Sequence, residues 1–204
     1  LFRSSAASDV YKRQLLWDQR IDSLALDKAE HFINLAHKQR ENDFELSVLY
    51  SQISFTRAYF FEKDHQKQDS LFLQGSQSCQ KAVMNHEDFK PIYILSKGDS
   101  SFKLLSAIAD APLSTVPGLY WWAVNLGMYL NNQPVLTRIK QRELLEVIMH
   151  RVISIDPGFN FSGPYRFFGS LYTRIPGIEL SQSKTYFDQA ITANPEYLLS
   201  LIHI

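Results

Sequence analysis

The sequence predicts an all-α protein, an α-solenoid of degenerate helix pairs, on three observations. The first is a repeated punctuation: Val152-Ile153-Ser154-Ile155-Asp156-Pro157-Gly158-Phe159 and Ala190-Ile191-Thr192-Ala193-Asn194-Pro195-Glu196-Tyr197. In each, an apolar helix end runs into Asp-Pro or Asn-Pro, and an aromatic follows two residues after the proline. Proline disfavours the α region for the residue before it and clashes with helix continuation, so each copy is a stop signal. The second is helical spacing of apolar residues through the segments between the stops. The third is that no alternating strand pattern runs beyond a few residues. Ile92-Tyr93-Ile94-Leu95 is the one β-looking run, too short and isolated to build a sheet.

The spacing from Phe159 to Tyr197 is a little over the roughly 34 residues of a tetratricopeptide unit, and Ile175-Pro176-Gly177-Ile178 supplies an insertion. Lys81-Ala82-Val83 through Phe89 aligns without gaps onto Gln189-Ala190-Ile191 through Tyr197. Three related helix ends therefore close at Phe89, Phe159 and Tyr197, which makes the pairs tetratricopeptide-like.

In chain order, Leu16–Lys38 reads as a helix or helix pair, with Asp22, Asp27 and Glu30 toward its start and Phe32, Ile33, Leu35 and Ala36 on its buried side. Asn42-Asp43 breaks it. Phe44–Phe61 is the next helix, with Leu46, Leu49, Tyr50, Ile53 and Ala58 at core spacing. Glu62–Asp69 has no apolar residue and reads as a solvated connection. Ser70–His86 is helical, with Leu71, Gly75, Ser78, Cys79, Ala82 and Val83 on one face, small enough for a neighbour to approach closely. Lys90–Ser101 reads as irregular and Phe102–Ala109 as a short helix. Asp110–Gly118, with two prolines and a glycine, reads as a loop. Leu119–Leu130 is a very apolar helix. Pro134 sits at the first turn of Val135–Ile155, where a missing N–H costs little, and Leu145, Ile148, Met149 and Val152 face its core. Ser162 is placed to cap a helix starting near Pro164. Phe187, Ala190 and Ile191 of the last helix are expected to pack on Pro164–Thr173.

Both ends of the chain read as foreign. Ser4–Gln14 resembles the in-frame translation of a transposon-based sequencing adapter, and Leu199–Ile204 the reverse complement of its last part. The expected organisation is therefore 1–14 and 199–204 as scars without core contacts and 15–198 as a single all-α domain. Any signal peptide or lipid-anchor cysteine would lie upstream. Lys+Arg and Asp+Glu number 21 each. Setting aside Arg3, Lys12, Arg13 and Asp9 leaves a slightly acidic domain with no electrostatic footprint for nucleic acid. Cys79 is the one cysteine, so neither a disulfide framework nor a cysteine-rich zinc site can form; on an apolar helix face it reads as a small core residue. No apolar run approaches the length of a membrane span.

The sequence has no G-x-S-x-G, P-loop, H-E-x-x-H or G-x-G-x-x-G, which removes the common hydrolase, nucleotide and zinc-protease chemistries. His86-Glu87-Asp88 has no second histidine at ligand spacing and reads as a helix end rather than a zinc site. No catalytic residue, metal or cofactor is expected. Two constellations remain. Leu119-Tyr120-Trp121-Trp122 is either core packing or the wall of an apolar channel. Its adjacent tryptophans point about 100° apart, so they do not share one core. Gly163-Pro164-Tyr165-Arg166-Phe167-Phe168-Gly169 places an arginine in an aromatic run, either as a cation–π or carbonyl partner within the fold or as a ligand contact. Gly169 lets the following helix come close.

The ordered set Val116-Pro117-Gly118-Leu119-Tyr120-Trp121-Trp122, Ile155-Asp156-Pro157, Gly163 to Gly169, and Pro176-Gly177…Ser183…Phe187…Ala190-Ile191 resembles the T component of tripartite ATP-independent periplasmic (TRAP) transporters. Ile178 stands where that family has a second glycine, and Ser183 where it has alanine. The resemblance implies a periplasmic, lipid-anchored, all-α protein, homo-oligomeric, that accompanies the substrate-binding (P) subunit and encloses an apolar channel for a hydrophobic or amphipathic small molecule. The alternative is a generic tetratricopeptide scaffold binding a peptide or helix; a lipid-modifying or hydrolytic enzyme is a third reading, without a nucleophile–base motif to support it. The aromatics exceed what a small core needs. Tyr165, Phe168 and Tyr172 share one helical stripe, and this stripe with Tyr120 and either Trp121 or Trp122 is expected to line the pocket. Arg166 is expected near its mouth, poised for an acidic headgroup. Phe167 and Leu171, on the adjacent stripe, are expected in the inter-helix core.

Overall fold

The computed structural model describes residues 23–40, 42–175 and 177–197. The two expected scars, the stretch 15–22 and Pro176 lie outside them. The described residues are all-α, with nine α-helices and no strand.

Helix α1 (Ser23–Gln39) buries Leu26, Ala29 and Ile33 against Leu46 and Ile53 of α2 (Phe44–Thr56), a small cluster separate from the main core. That stripe is narrower than the sequence predicts. Phe32 and Leu35 are 41% and 47% exposed, because α2 is the helix that α1 meets. Arg57 ties the two together, donating to Asp27 and, over 3.1 Å, to Glu30. Asp43 caps α2, its carboxylate accepting from Leu46 N at 3.0 Å. The helix then widens into a π turn, Arg57–Phe61, closed by Glu62 N donating to Arg57 O.

Helix α3 (His65–Asn85) starts earlier than its polar first turn predicts, because Asp64 accepts from Gln66 N and Lys67 N and a capped first turn needs no apolar residue. The connection is therefore 62–64. The reading of 90–101 as irregular is also corrected. Phe89–Leu95 forms α4, with Pro91 in its first turn, and the β-looking run Ile92–Leu95 is helical. Helix α5 (Ser100–Ala109) is capped by Asp99. The expected loop at 110–118 shortens to a 3₁₀ turn, Leu113–Thr115, and Pro117 and Gly118 already belong to α6 (Val116–Leu130). Helix α7 (Val135–Ile155) has its predicted bounds and core residues.

Helix α8 (Phe159–Tyr172) contains the largest departure. Asn160, Phe161 and Ser162 all have positive φ (49°, 57° and 59°), so its first turn is left-handed and the right-handed helix begins at Gly163. Ser162 is consequently not a helix cap; its hydroxyl instead accepts from Asn194 Nδ2. Helix α9 (Leu180–Ala193) packs on α8 as expected, with Phe187 and Ala190 buried and Ile191 half-buried. Ser183, in place of the family's alanine, donates to Gly169 O at 2.7 Å and so keeps its polar atom satisfied in the interface.

Three hairpins thus follow one another: α2/α3, α6/α7 and α8/α9, with α4 and α5 inserted after the first. The second helix of each pair meets the first helix of the next (α3 with α6, α7 with α8), and the first helices neighbour one another. This order is compatible with a tetratricopeptide-like solenoid. Phe44 abuts Gly118 and Ser51 bonds Asn125, so α2 runs parallel to α6; Tyr120 abuts Gly163 and Phe167 abuts Gly127, so α8 does too. Three parallel first helices face one side. Helix α6 is the centre of the main core. Leu119, Trp122 and Ala123 are fully buried there, each large apolar side chain contributing about 1.5–3 kcal/mol by leaving water.

Candidate functional site

The parallel first helices enclose a groove of about 460 Å³. Helix α2 and its π turn give one wall, with Gln52, Phe55, Thr56, Tyr59 and Phe60. Helix α6 is the floor, with Tyr120, Trp121, Val124, Gly127, Met128 and Asn131. Helix α8 is the other wall, with Asn160, Gly163, Arg166, Phe167, Ser170, Leu171 and Arg174, and Tyr197 closes one end. An unbroken aromatic row crosses it. Ring centroids step from Phe60 to Tyr59 (4.9 Å), Phe55 (5.5 Å), Trp121 (5.5 Å), Tyr120 (5.4 Å) and Phe159 (5.1 Å). A π turn adds a residue to the helical circuit and re-aims those beyond it. Here Tyr59 and Phe60 stand at the rim, 46% and 59% exposed.

The candidate residues divide. Tyr120, Trp121 and Arg166 line the groove. Trp122 does not: it points to the opposite side of α6 and is 1% exposed in the core, which settles which of the two tryptophans faces outward. The stripe Tyr165–Phe168–Tyr172 does not line the groove either. Phe168 and Tyr172 are buried, Phe168 stacking on Tyr186 of α9 and tilted against His150 of α7 at 4.6 Å. Tyr165 borders a separate shallow depression with Thr185, Asp188 and Thr192. Phe167 and Leu171, expected in the inter-helix core, face the groove instead. The reason is Gly169. Phe187 sits so close that a Cβ there would meet its ring at 2.8 Å, so the glycine face of α8 must turn to α9. Tyr165, Phe168 and Tyr172 lie on that face and turn with it.

Burial raises the Tyr172 phenol above its ordinary value, and the nearby Glu146 carboxylate adds to this. Glu146 also accepts from Arg142 at 2.8 Å, so this polar cluster is internally paired.

At the closed end the left-handed turn is held from several sides. Phe and Ser in this conformation cost about 1–2 kcal/mol each, so compensating contacts are required. Arg166 donates to the carbonyls of Phe161 and, at 2.7 Å, of Asn160. Asn160 Nδ2 donates to the Tyr120 hydroxyl at 2.9 Å. Tyr197 stacks on Phe161 at 4.8 Å and lies 4.2 Å from the Arg166 guanidinium carbon. Burial pushes the Tyr120 phenol above its ordinary value, against the opposing pull of the Asn160 hydrogen bond and the Arg166 charge, so the hydroxyl keeps its proton at neutral pH.

Sequence reasoning overlooked Phe55, Tyr59 and Phe60, although the aromatic density of Phe55–Phe61 was a signal. It also overlooked Asn160, whose role depends on a backbone conformation that no sequence pattern announces. Elsewhere, His86 completes the end of α3: its Nδ1 accepts from Asp88 N at 3.2 Å and its ring packs edge-on against Phe44. Cys79 is buried in the core, its thiol pushed up to about 12 by desolvation.

No helix among the described residues is long and apolar enough to cross a membrane. No curated protein matches the sequence. A family model, the TRAP transporter T-component, matches residues 22–200. That span takes in α1 to α9 and every groove-lining residue, and the chain therefore belongs to the TRAP transporter T-component family.

Proposed function

We propose that this TRAP transporter accessory component holds a hydrophobic or amphipathic small molecule in the groove between α2, α6 and α8, and that it works beside the substrate-binding subunit in the periplasm, lipid-anchored in the full-length protein. The observation that carries the ligand half is the aromatic-walled cavity of about 460 Å³, within the usual range for small-molecule sites, which are concave and mainly apolar with a few placed polar groups. Stacked helix pairs present such concave surfaces to whatever they hold. Tyrosine and tryptophan, apolar in body and polar at the tip, suit a ligand with both characters.

The test is a titration with the neutral, apolar dye Nile red, read by dye emission and by tryptophan quenching. Saturable binding that weakens at least about fivefold in Trp121→Ala and Phe55→Ala, with unchanged far-UV circular dichroism, is the expected result. Absence of saturable binding in the unaltered protein overturns it. Association with the subunit is checked by co-purification of this chain with the P subunit of its own transporter, where no complex at micromolar concentrations is the contrary result.

A further inference from the structure

Among the described residues the groove has one charge sign: its walls carry two guanidinium groups, Arg166 and Arg174, and no carboxylate, in a chain whose basic and acidic residues are equal in number. Arg174 is exposed and lies two residues past the end of α8, where solvent screens its charge. Arg166 is different. It is half-buried, and among the described residues no carboxylate lies within ion-pair distance of it. Two of its five N–H donors go to the carbonyls of Asn160 and Phe161, and its face is covered by Tyr197. Carbonyls and an aromatic face fix the group in place without cancelling its charge. Partly desolvated charges are normally paired, whereas this end of the groove presents a pinned cation that no described carboxylate compensates.

A second donor stands beside it. The Tyr120 hydroxyl lines the same end and accepts from Asn160, and no acceptor for its own proton is found among the described residues. Burial keeps that proton on, so it remains available to donate. Gly163 is the consequence of this placement, since any Cβ there would stand 2.2 Å from the Tyr120 oxygen. The seat is thus built from three parts of the chain: α6 brings Tyr120, the right-handed start of α8 brings Arg166, and the left-handed turn brings Asn160 to orient the phenol.

Building on the apolar-groove reading, we infer that the ligand is an amphipathic carboxylic acid, bound as the anion with its headgroup on Arg166 and Tyr120 and its chain along Trp121, Phe55 and Phe167. One guanidinium and one hydroxyl match the two oxygens of a carboxylate, and charge-assisted hydrogen bonds of this kind are the strong ones. A phosphate monoester brings more negative charge than the one guanidinium of this seat offsets.

The experiment uses chain-matched probes, decanoic acid, 1-decanol and decylamine, as competitors of bound Nile red at neutral pH. Decanoate displacing the dye at about tenfold lower concentration than decanol, with the amine weakest, is the expected order. Raising salt should weaken decanoate and leave decanol unchanged. In Arg166→Gln and in Tyr120→Phe the acid-over-alcohol ratio should fall to within about threefold of unity while decanol binding persists, whereas Arg174→Gln should retain the ratio. A merely structural role for Arg166 would weaken both competitors together and leave the ratio intact, which overturns the inference. So does equal displacement by acid and alcohol, or loss of the ratio in Arg174→Gln alone. In these three outcomes the groove reading stands; failure of the dye itself to bind overturns both.

Discussion

Position 163 is glycine because of one oxygen atom. Adding a methyl group there would place it 2.2 Å from the Tyr120 hydroxyl and 2.7 Å from the ring carbon that bears it, so either α6 or the left-handed turn must shift. Overpacking of this kind costs about 1–3 kcal/mol. Gly163→Ala should therefore lower stability by about that amount in urea denaturation. The double variant Gly163→Ala, Tyr120→Phe should recover part of the loss, because the nearest clash is with the hydroxyl. Equal destabilisation in both would show that the rest of the ring, not the oxygen, sets the constraint. The same scale shows what could be read from the sequence. That Tyr165, Phe168 and Tyr172 share a stripe was legible, because period alone fixes it. Which way the stripe faces was not, because rotation of α8 about its axis is set by the contact of Gly169 with Phe187, a partner distant in sequence. The closeness that Gly169 permits was itself foreseen. Extended one step, it turns the Phe168 stripe toward α9 and leaves Phe167 and Leu171 for the groove.

Side chains cap the starts of α2, α3 and α5 through Asp43, Asp64 and Asp99, and the misread start of α3 is one of these. Apolar periodicity located the body of α3 but missed its first turn, which contains no apolar residue and is held by Asp64 accepting from Gln66 N and Lys67 N. Periodicity was equally blind to α4, a seven-residue helix whose β-branched residues favour strands in isolation. Its single fully buried side chain, Phe89, docks it on the core. Asp64→Ala tests the first case: loss of an N-cap costs about 0.5–2 kcal/mol, and amide exchange should quicken at Gln66 and Lys67 while protection over Ser76–Val83 stays. Uniform loss of protection along α3 would mean that the cap does not act locally. The π turn at Arg57–Phe61 belongs here too. It places Tyr59 and Phe60 at the groove rim, and its first residue, Arg57, bonds Asp27 and Glu30 of α1. No apolar period in the sequence marks the widening.

Over the whole molecule the repeat punctuation does more than stop helices. Each aromatic that follows a stop docks the next segment onto what came before: Phe89 is buried in the core, Phe159 meets Tyr120, and Tyr197 meets Phe161 and Arg166. This is why the helix pairs were legible in one dimension, while the groove, which needs three first helices side by side, was not. The interior these contacts seal has a definite alkaline limit. Burial raises the Cys79 thiol to about 12 from an ordinary 9.0 and raises the phenols of Tyr50, Tyr120, Tyr172 and Tyr186 above 10.0. An acid whose pKa is raised by folding supports the native state fully below its unfolded pKa, and loses that support as pH climbs toward the folded value, because the unfolded chain ionises first. Stability should therefore hold level as pH rises through 8, begin to fall near the unfolded thiol value, and fall more steeply past the unfolded phenol value. Urea midpoints measured from pH 7 to 11 check this. Cys79→Ala should delay the onset by about one pH unit, to where the tyrosines take over. If the variant and the parent lose stability along the same curve, the thiol is ionising as freely in the folded protein as in the unfolded one, and its site is open to water rather than sealed.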